Sequence, residues 1–109
     1  MPVLLLILVL LLPAALTAQP PVADMHLHYK WSQQDVTSPD DALRVLDAEH
    51  VALGVVIGTP AALALTLAER DPERIVPIYS PYREGGDWYR WMSDPDVVAR
   101  AREALASGR

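Results

Sequence analysis

The feature that most restricts how this chain can fold is a threefold alternation of extended and helical signals beyond residue 20. Val22 to His28 is a short extended run that starts just after Pro20-Pro21. After a polar loop, Thr37-Ser38-Pro39-Asp40-Asp41 announces a helix: Ser38 suits the N-cap, Pro39 the first helical position, and the two aspartates the positive end of the helix dipole. Ala42, Val45 and Leu46 give that helix one apolar face. Leu53-Gly54-Val55-Val56-Ile57 is a nearly continuous apolar run ending at Gly58, too short for a helix and rich in β-branched residues, as expected of a strand buried on both faces.

Thr59-Pro60 repeats the cap-plus-proline pattern ahead of a helix over Ala61 to Arg70, mostly Ala and Leu and therefore expected to be largely buried. Asp71-Pro72 stops it. Ile75 to Tyr79 is the third extended run. Pro77 within it has no N–H for a sheet ladder, so a bulge or an unpaired edge is expected there. A long loop, Ser80 to Ser93, leads to a last helix that begins at Asp94-Pro95, carries Val97, Val98, Ala101, Ala104 and Leu105 on one face, and ends at Gly108.

Strand then helix, three times with short connections, predicts an α/β fold with parallel strands joined by right-handed crossovers. Three parallel strands with so few helices cannot cover both faces of their sheet. A complete (β/α)₈ barrel of the TIM type takes about 250 residues. The expectation is thus a partial barrel of about three βα units, an N-terminal fragment of a longer protein.

Residues Val3 to Leu12 are all Leu, Val or Ile, and no charged side chain precedes Asp24. Followed by Pro13 and the small-residue stretch Ala14 to Ala18, this block reads as a signal peptide over residues 1–18, cleaved after Ala18, so the mature part would be residues 19–109. The protein is then exported, periplasmic or secreted, with no stable membrane association after cleavage. No Lys or Arg precedes the apolar core, and an uncleaved membrane anchor is the competing reading, because the stretch approaches the roughly 17 residues needed to span a bilayer. All charged side chains lie in the mature part, where 14 acidic residues against 9 basic ones give a net charge of −5. That surface repels phosphate backbones and argues against nucleic acid as a partner. With no cysteine, disulfides and thiol chemistry are excluded, and any metal must be held by histidine and carboxylate.

The element that carries chemistry is Asp24-Met25-His26-Leu27-His28. On a strand, residues two apart share a face, so His26 and His28 project together from backbone positions about 6 to 7 Å apart. Two imidazoles converging from there can ligate one ion at about 2.0–2.1 Å each. Met25 and Leu27 are expected to point the other way, into a helix-covered layer. His-x-His by itself is weak, since a pair of strand-end histidines with ordinary partners has the same spelling. The leader before it, the preceding Asp24 and the βα pattern after it favour metal.

This stretch resembles the first-strand signature of the amidohydrolase superfamily, especially its amidohydrolase-related branch. Pro39 to Gly58 resembles the first helix and second strand of that branch, Asp71 to Pro77 its approach to the third strand, and Ala104 to Gly108 the helix end before the fourth. The resemblance implies a metal-dependent hydrolase built on a (β/α)₈ barrel, with one or two divalent ions, often zinc. His26 and His28 would be the first two ligands. A bridging carboxylated Lys or a Glu, two further His and a late Asp acting as general base would come from later strands; Lys30 does not occupy the bridging position. A metal-bound hydroxide would attack an amide, ester or related bond of a small-molecule substrate. Some members of the branch are decarboxylases. The full-length protein is a candidate homo-oligomer, and the short chain alone is expected to be inactive. A small exported module that binds a ligand or partner without catalysis is the reading of a different class.

The loop Ser80 to Ser93 carries Tyr82, Arg83, Trp88, Tyr89, Arg90 and Trp91 on the rim expected to hold the histidines. Trp88, Trp91 and Trp31 are the candidates for lining a substrate pocket, with an arginine for an anionic group. Their plainer role is to pack loops onto the rim. Glu84 and Asp87 read as solvated carboxylates. His50 reads as a solvent-facing residue at a helix end, remote from the other two histidines.

Overall fold

The computed structural model describes residues 19–83 and 87–107, apart from the side chain of Trp88. The signal peptide expected over residues 1–18, Glu84 and the helix stop at Gly108 lie outside the described residues. Three strands, β1 (Val22–Lys30), β2 (Val51–Thr59) and β3 (Ile75–Ile78), form a parallel sheet in the order β1-β2-β3. The helices are α1 (Trp31–Gln34), α2 (Pro39–Ala48), α3 (Ala62–Arg70) and α4 (Val97–Ala106), with two short 3₁₀ turns, Asp87–Tyr89 and Trp91–Ser93, between β3 and α4. The α/β architecture with parallel strands is as the alternation predicts. Among the described residues no helix is long and apolar enough to cross a membrane.

Local chemistry explains most element ends. Ser38 caps α2: its Oγ accepts from the Asp41 N–H at 3.1 Å and donates to the Asp41 carboxylate at 2.6 Å, with Pro39 at the first position. After α2, His50 takes a left-handed backbone (φ 55°), the conformation that ends many helices, and its carbonyl accepts the Val22 N–H at 2.9 Å.

Several expectations need correction. Thr59 is no helix cap: it stays in β2, buried and paired with Lys30, and the Thr59–Pro60 peptide is cis. α3 starts at Ala62 without a side-chain cap, its first donors satisfied by Leu63 N–H to the Pro60 carbonyl at 3.0 Å and Ala64 N–H to the Ala61 carbonyl at 3.1 Å. The last helix starts at Val97, because the Asp94 carboxylate takes the Asp96 N–H at 2.9 Å and holds residues 94–96 in a turn. Trp31 to Gln34, read as loop, form a helical turn fixed by the Lys30 N–H donating to Gln33 Oε1 at 2.7 Å. At Pro77 the expected edge is met and the bulge is not: β3 is an edge strand, where the missing donor is tolerated, and keeps even register with β2, while the sheet's irregularities fall in the β1–β2 pairing.

The core lies on one face of the sheet. Val56, Leu63, Ala64, Leu67, Ile75 and Tyr29 form a buried cluster, with Leu27, Leu43 and Leu46 packed against it from β1 and α2. The Tyr29 hydroxyl reaches the Thr37 carbonyl at 2.7 Å, so its polar end is satisfied. Gly54 shares this face, because a Cβ there would meet Leu27, Ile75 and Leu46. Strand alternation then puts Val55, Ile57, Val76 and Ile78 on the opposite face, where Val76 and Ile78 remain 46% and 41% exposed. The apolar stripe of α4 is only partly covered: Val97, Ala101 and Ala104 are half-buried, Val98 and Leu105 exposed.

At the end of the sheet where the strands begin, Arg74 ties three segments together. Its guanidinium donates to Asp71 at 2.7 Å (Nε) and to Asp47 at 2.6 Å (Nη1), and its side chain is mostly buried. Arg74→Met keeps the stem but strands the two carboxylates, and is expected to cost about 1.5–3 kcal/mol in urea unfolding. A change below about 0.5 kcal/mol would mean that the network contributes no more than a surface pair.

Candidate metal centre

Leu27 and Tyr29 face the core, so alternation turns His28 to the opposite face of β1. His26 reaches it from a bulge. Between Asp24 and Leu27, β1 uses one residue more than β2 uses between Gly54 and Val56. A bulge of this kind re-aims side chains and is common beside functional sites. The Asp24 Oδ1 accepts the His26 N–H at 3.0 Å, which satisfies a donor within the bulge and gives Asp24 a positioning role. The result is convergence: the Nε2 atoms of His26 and His28 stand 3.0 Å apart, with ring centroids separated by 4.9 Å and planes tilted by 44°.

The same bulge corrects one expectation. Met25 is not in the helix-covered layer but 63% exposed, while Leu27 alone of that pair packs against the core. The extra residue breaks the strict period of two on which the expectation rested.

The chemistry of this pair fits a divalent ion. Two imidazole nitrogens 3.0 Å apart, each about 2.0–2.1 Å from one ion, subtend an angle of about 90–100° at it. Without a metal the same separation is a hydrogen bond between one protonated and one bare Nε2, and an ion takes the place of that shared proton. His28 has its pKa lowered, first by partial burial, then by the Lys30 charge and by His26, which favours the neutral, ligating form. Both histidines are exposed. Among the described residues no group of three or more His, Asp or Glu side chains is placed to hold a metal.

The other candidate residues are dispersed. Trp31 opens α1 and is 42% exposed; Trp91 is half-buried and meets Tyr82 edge-on at 6.4 Å between ring centroids. Among the described residues no ring contact joins either tryptophan to a histidine. Trp88 lies in the first 3₁₀ turn, and its side chain is outside the described residues. The Tyr82–Trp91 contact is the loop-packing role. His50 is exposed at the start of β2, remote along the sheet from His26 and His28, as expected.

Asp87 overturns its reading as a solvated carboxylate. It is buried, accepting the Arg83 N–H at 3.1 Å and Nε at 3.3 Å. Arg83 also reaches Asp94 at 3.3 Å, and Asp94 pairs with Arg100, so two carboxylates and two guanidiniums pin the loop to α4. The i, i+4 spacing of Arg83 and Asp87 was the available signal, but it carries weight only once the 3₁₀ turn brings the carboxylate inward. Asp94 is held below the ordinary carboxylate range, first by the Asp96 N–H and then by Arg100, against the opposing effect of burial; Asp87 is lowered first by the Arg83 N–H. Depressed folded-state values stabilise the fold above the unfolded value of about 3.9 and are lost as pH falls through the folded ones. Tryptophan fluorescence should therefore stay constant from pH 7 to about 4.5 and change below about 4. A transition centred between pH 5 and 6 would exclude these carboxylates as its cause.

Beneath this loop lies a cavity of about 550 Å³ between α3, the end of β3 and α4, with Leu65, Pro77, Tyr79, Tyr82, Arg83 and Arg100 among its walls. Compared with family models, with curated proteins and with solved structures, the chain finds no match.

Proposed function

We propose that this chain supplies the first βα units of a metal-dependent hydrolase of the amidohydrolase type. The observation that carries the reading is the convergence of His26 and His28, on the sheet face opposite the core and towards the C-terminal end of β1. Parallel sheets are normally covered on both sides, and this one packs its core helices on one side only. The exposed Val76 and Ile78 of the other face are what the interior of a (β/α)₈ barrel would bury, with the histidines among them.

In that reading His26 and His28 hold one side of a zinc ion, Asp24 fixes the bulge that aims His26, and the remaining ligands and the general base come from strands other than β1–β3. The ion, when bound, supplies an activated water and polarises the scissile carbonyl. His28 stays neutral and ready to ligate near pH 7, and Lys30 at the strand end places positive charge beside the site.

The test uses the full-length gene product, loaded with zinc and offered amide and ester substrates. Hydrolysis that a chelator abolishes, that zinc restores and that His26→Ala or His28→Ala lowers by about 100-fold or more supports the reading. Hydrolysis unaffected by both substitutions contradicts it, and release of carbon dioxide without hydrolysis selects the decarboxylase chemistry instead. The 550 Å³ cavity favours, as a second reading, an exported ligand-binding module. Ligand capture that survives both histidine substitutions is its signature.

A further inference from the structure

We propose that the cavity between α3, the end of β3 and α4 binds a small amphipathic carboxylate, its acid group held by Arg100 and Ser80 and its apolar body by the walls around them. The space suffices: about 550 Å³, within the roughly 300–1,000 Å³ of small-molecule sites. None of its lining residues belongs to the histidine pair. Pro77, on its wall, pairs with the core residue Val56 and so faces the helices, on the side of the sheet opposite His28. A ligand there is independent of hydrolase chemistry, and it gives the second reading, a ligand-binding module, its ligand class.

The polar groups of the inner wall are mainly donors, so the occupant must bring acceptors. Ser80, only 4% exposed, accepts the Tyr82 N–H at 3.3 Å and can still donate its own proton. Arg100 gives Nη1 to Asp94, while its Nη2 is buried and has no hydrogen-bond partner among the described residues. A buried guanidinium nitrogen without an acceptor is unfavourable, and the cavity that Arg100 lines is where an acceptor can arrive. Asp94 and, after it, the Tyr79 hydroxyl raise the pKa of Arg100 against the effect of burial, so the phenol stands beside the guanidinium as a further donor. Asp87 and Asp94 already balance Arg83 and Arg100, and Glu103 adds negative charge at the exposed edge. Directed donors in a nearly neutral setting suit a monoanion such as a carboxylate better than a dianion. Leu65, Pro77, Ala104 and the Tyr82 ring supply apolar wall for the rest of the ligand.

The test is calorimetric titration of the full-length gene product with 4-phenylbutyrate and with its neutral amide. The acid should bind with one site per chain and about 10- to 100-fold more tightly than the amide, the range that charge-assisted hydrogen bonds confer. Arg100→Lys should remove most of that preference, because its one ammonium stays with Asp94 and presents no second nitrogen. Ala104→Phe, which fills the cavity from α4 and leaves the arginine in place, should remove binding of both probes. The His26→Ala/His28→Ala double variant should bind the acid like the parent. Urea midpoints confirm that each variant is folded; if Arg100→Lys is not, the acid-to-amide ratio of the parent and Ala104→Phe decide. Equal affinity for acid and amide, blocked by Ala104→Phe, overturns the carboxylate and leaves the cavity as a ligand site. Acid binding that survives Ala104→Phe, or that is lost in the histidine double variant, places the anion elsewhere and overturns the proposal. No binding of either probe overturns it together with the second reading, while the histidine pair stands or falls by its own zinc titration.

Discussion

Replacing either His26 or His28 with alanine is expected to weaken zinc or cobalt binding by about 100-fold or more, as measured by competition with a coloured chelator. Loss of an outer-shell partner already costs about 10–100-fold, and each of these imidazoles is itself a ligand. The two substitutions should have similar effects, because the Nε2 atoms are only 3.0 Å apart and neither nitrogen alone chelates. The double variant should add little, as expected for groups that act as a unit. Asp24→Ala should have a smaller effect, about tenfold, because it frees the His26 N–H and loosens the bulge without removing a ligand. An affinity within about threefold of the parent in both single histidine variants would contradict the pair.

Gly58→Ala should be the most damaging single methyl in the fold. A Cβ at Gly58 would lie 2.5 Å from the Ala64 nitrogen, 2.8 Å from the Pro60 oxygen and 2.9 Å from the Ala61 oxygen. All three are backbone atoms of the turn into α3, so no side chain can rotate away, and relief requires lifting the start of α3 from the sheet. Leu63, Ala64 and Leu67 are buried in that helix, so its displacement opens the core. The expected cost is about 3 kcal/mol or more, a large share of the stability of a small domain. Gly54→Ala is the internal comparison: its Cβ would meet the Leu27 methyl at 3.0 Å and the Ile75 methyl at 3.4 Å, both able to shift. A cost of about 1 kcal/mol is expected there. Equal urea midpoints for the two variants would show that the turn is more yielding than described.

Much of this architecture can be read from local sequence. Ser38-Pro39 with two aspartates specifies the start of α2, and the apolar run around Val56 specifies the central strand, because each signal needs only neighbouring residues to act. Thr59-Pro60 has the same spelling as Ser38-Pro39 but sits where β2 continues, and pairing with Lys30 outweighs capping. That outcome depends on another strand, which no local pattern reports. The histidine pair was legible through the period of two, yet its 3.0 Å convergence arises with a bulge that the period does not contain. Exposed Met25 records the same departure. Asp87 illustrates the converse: a loop carboxylate that looks solvated is buried because Arg83 and the turn over Asp87–Tyr89 enclose it.

In the proposed function His26 and His28 bind one ion together. Long-range proton–nitrogen spectra of the three histidine side chains during a zinc titration test it most directly. The Nε2 resonances of His26 and His28 should move together with one midpoint, while those of His50 stay unchanged. Movement of only one of the pair, or equal movement of all three, would contradict it.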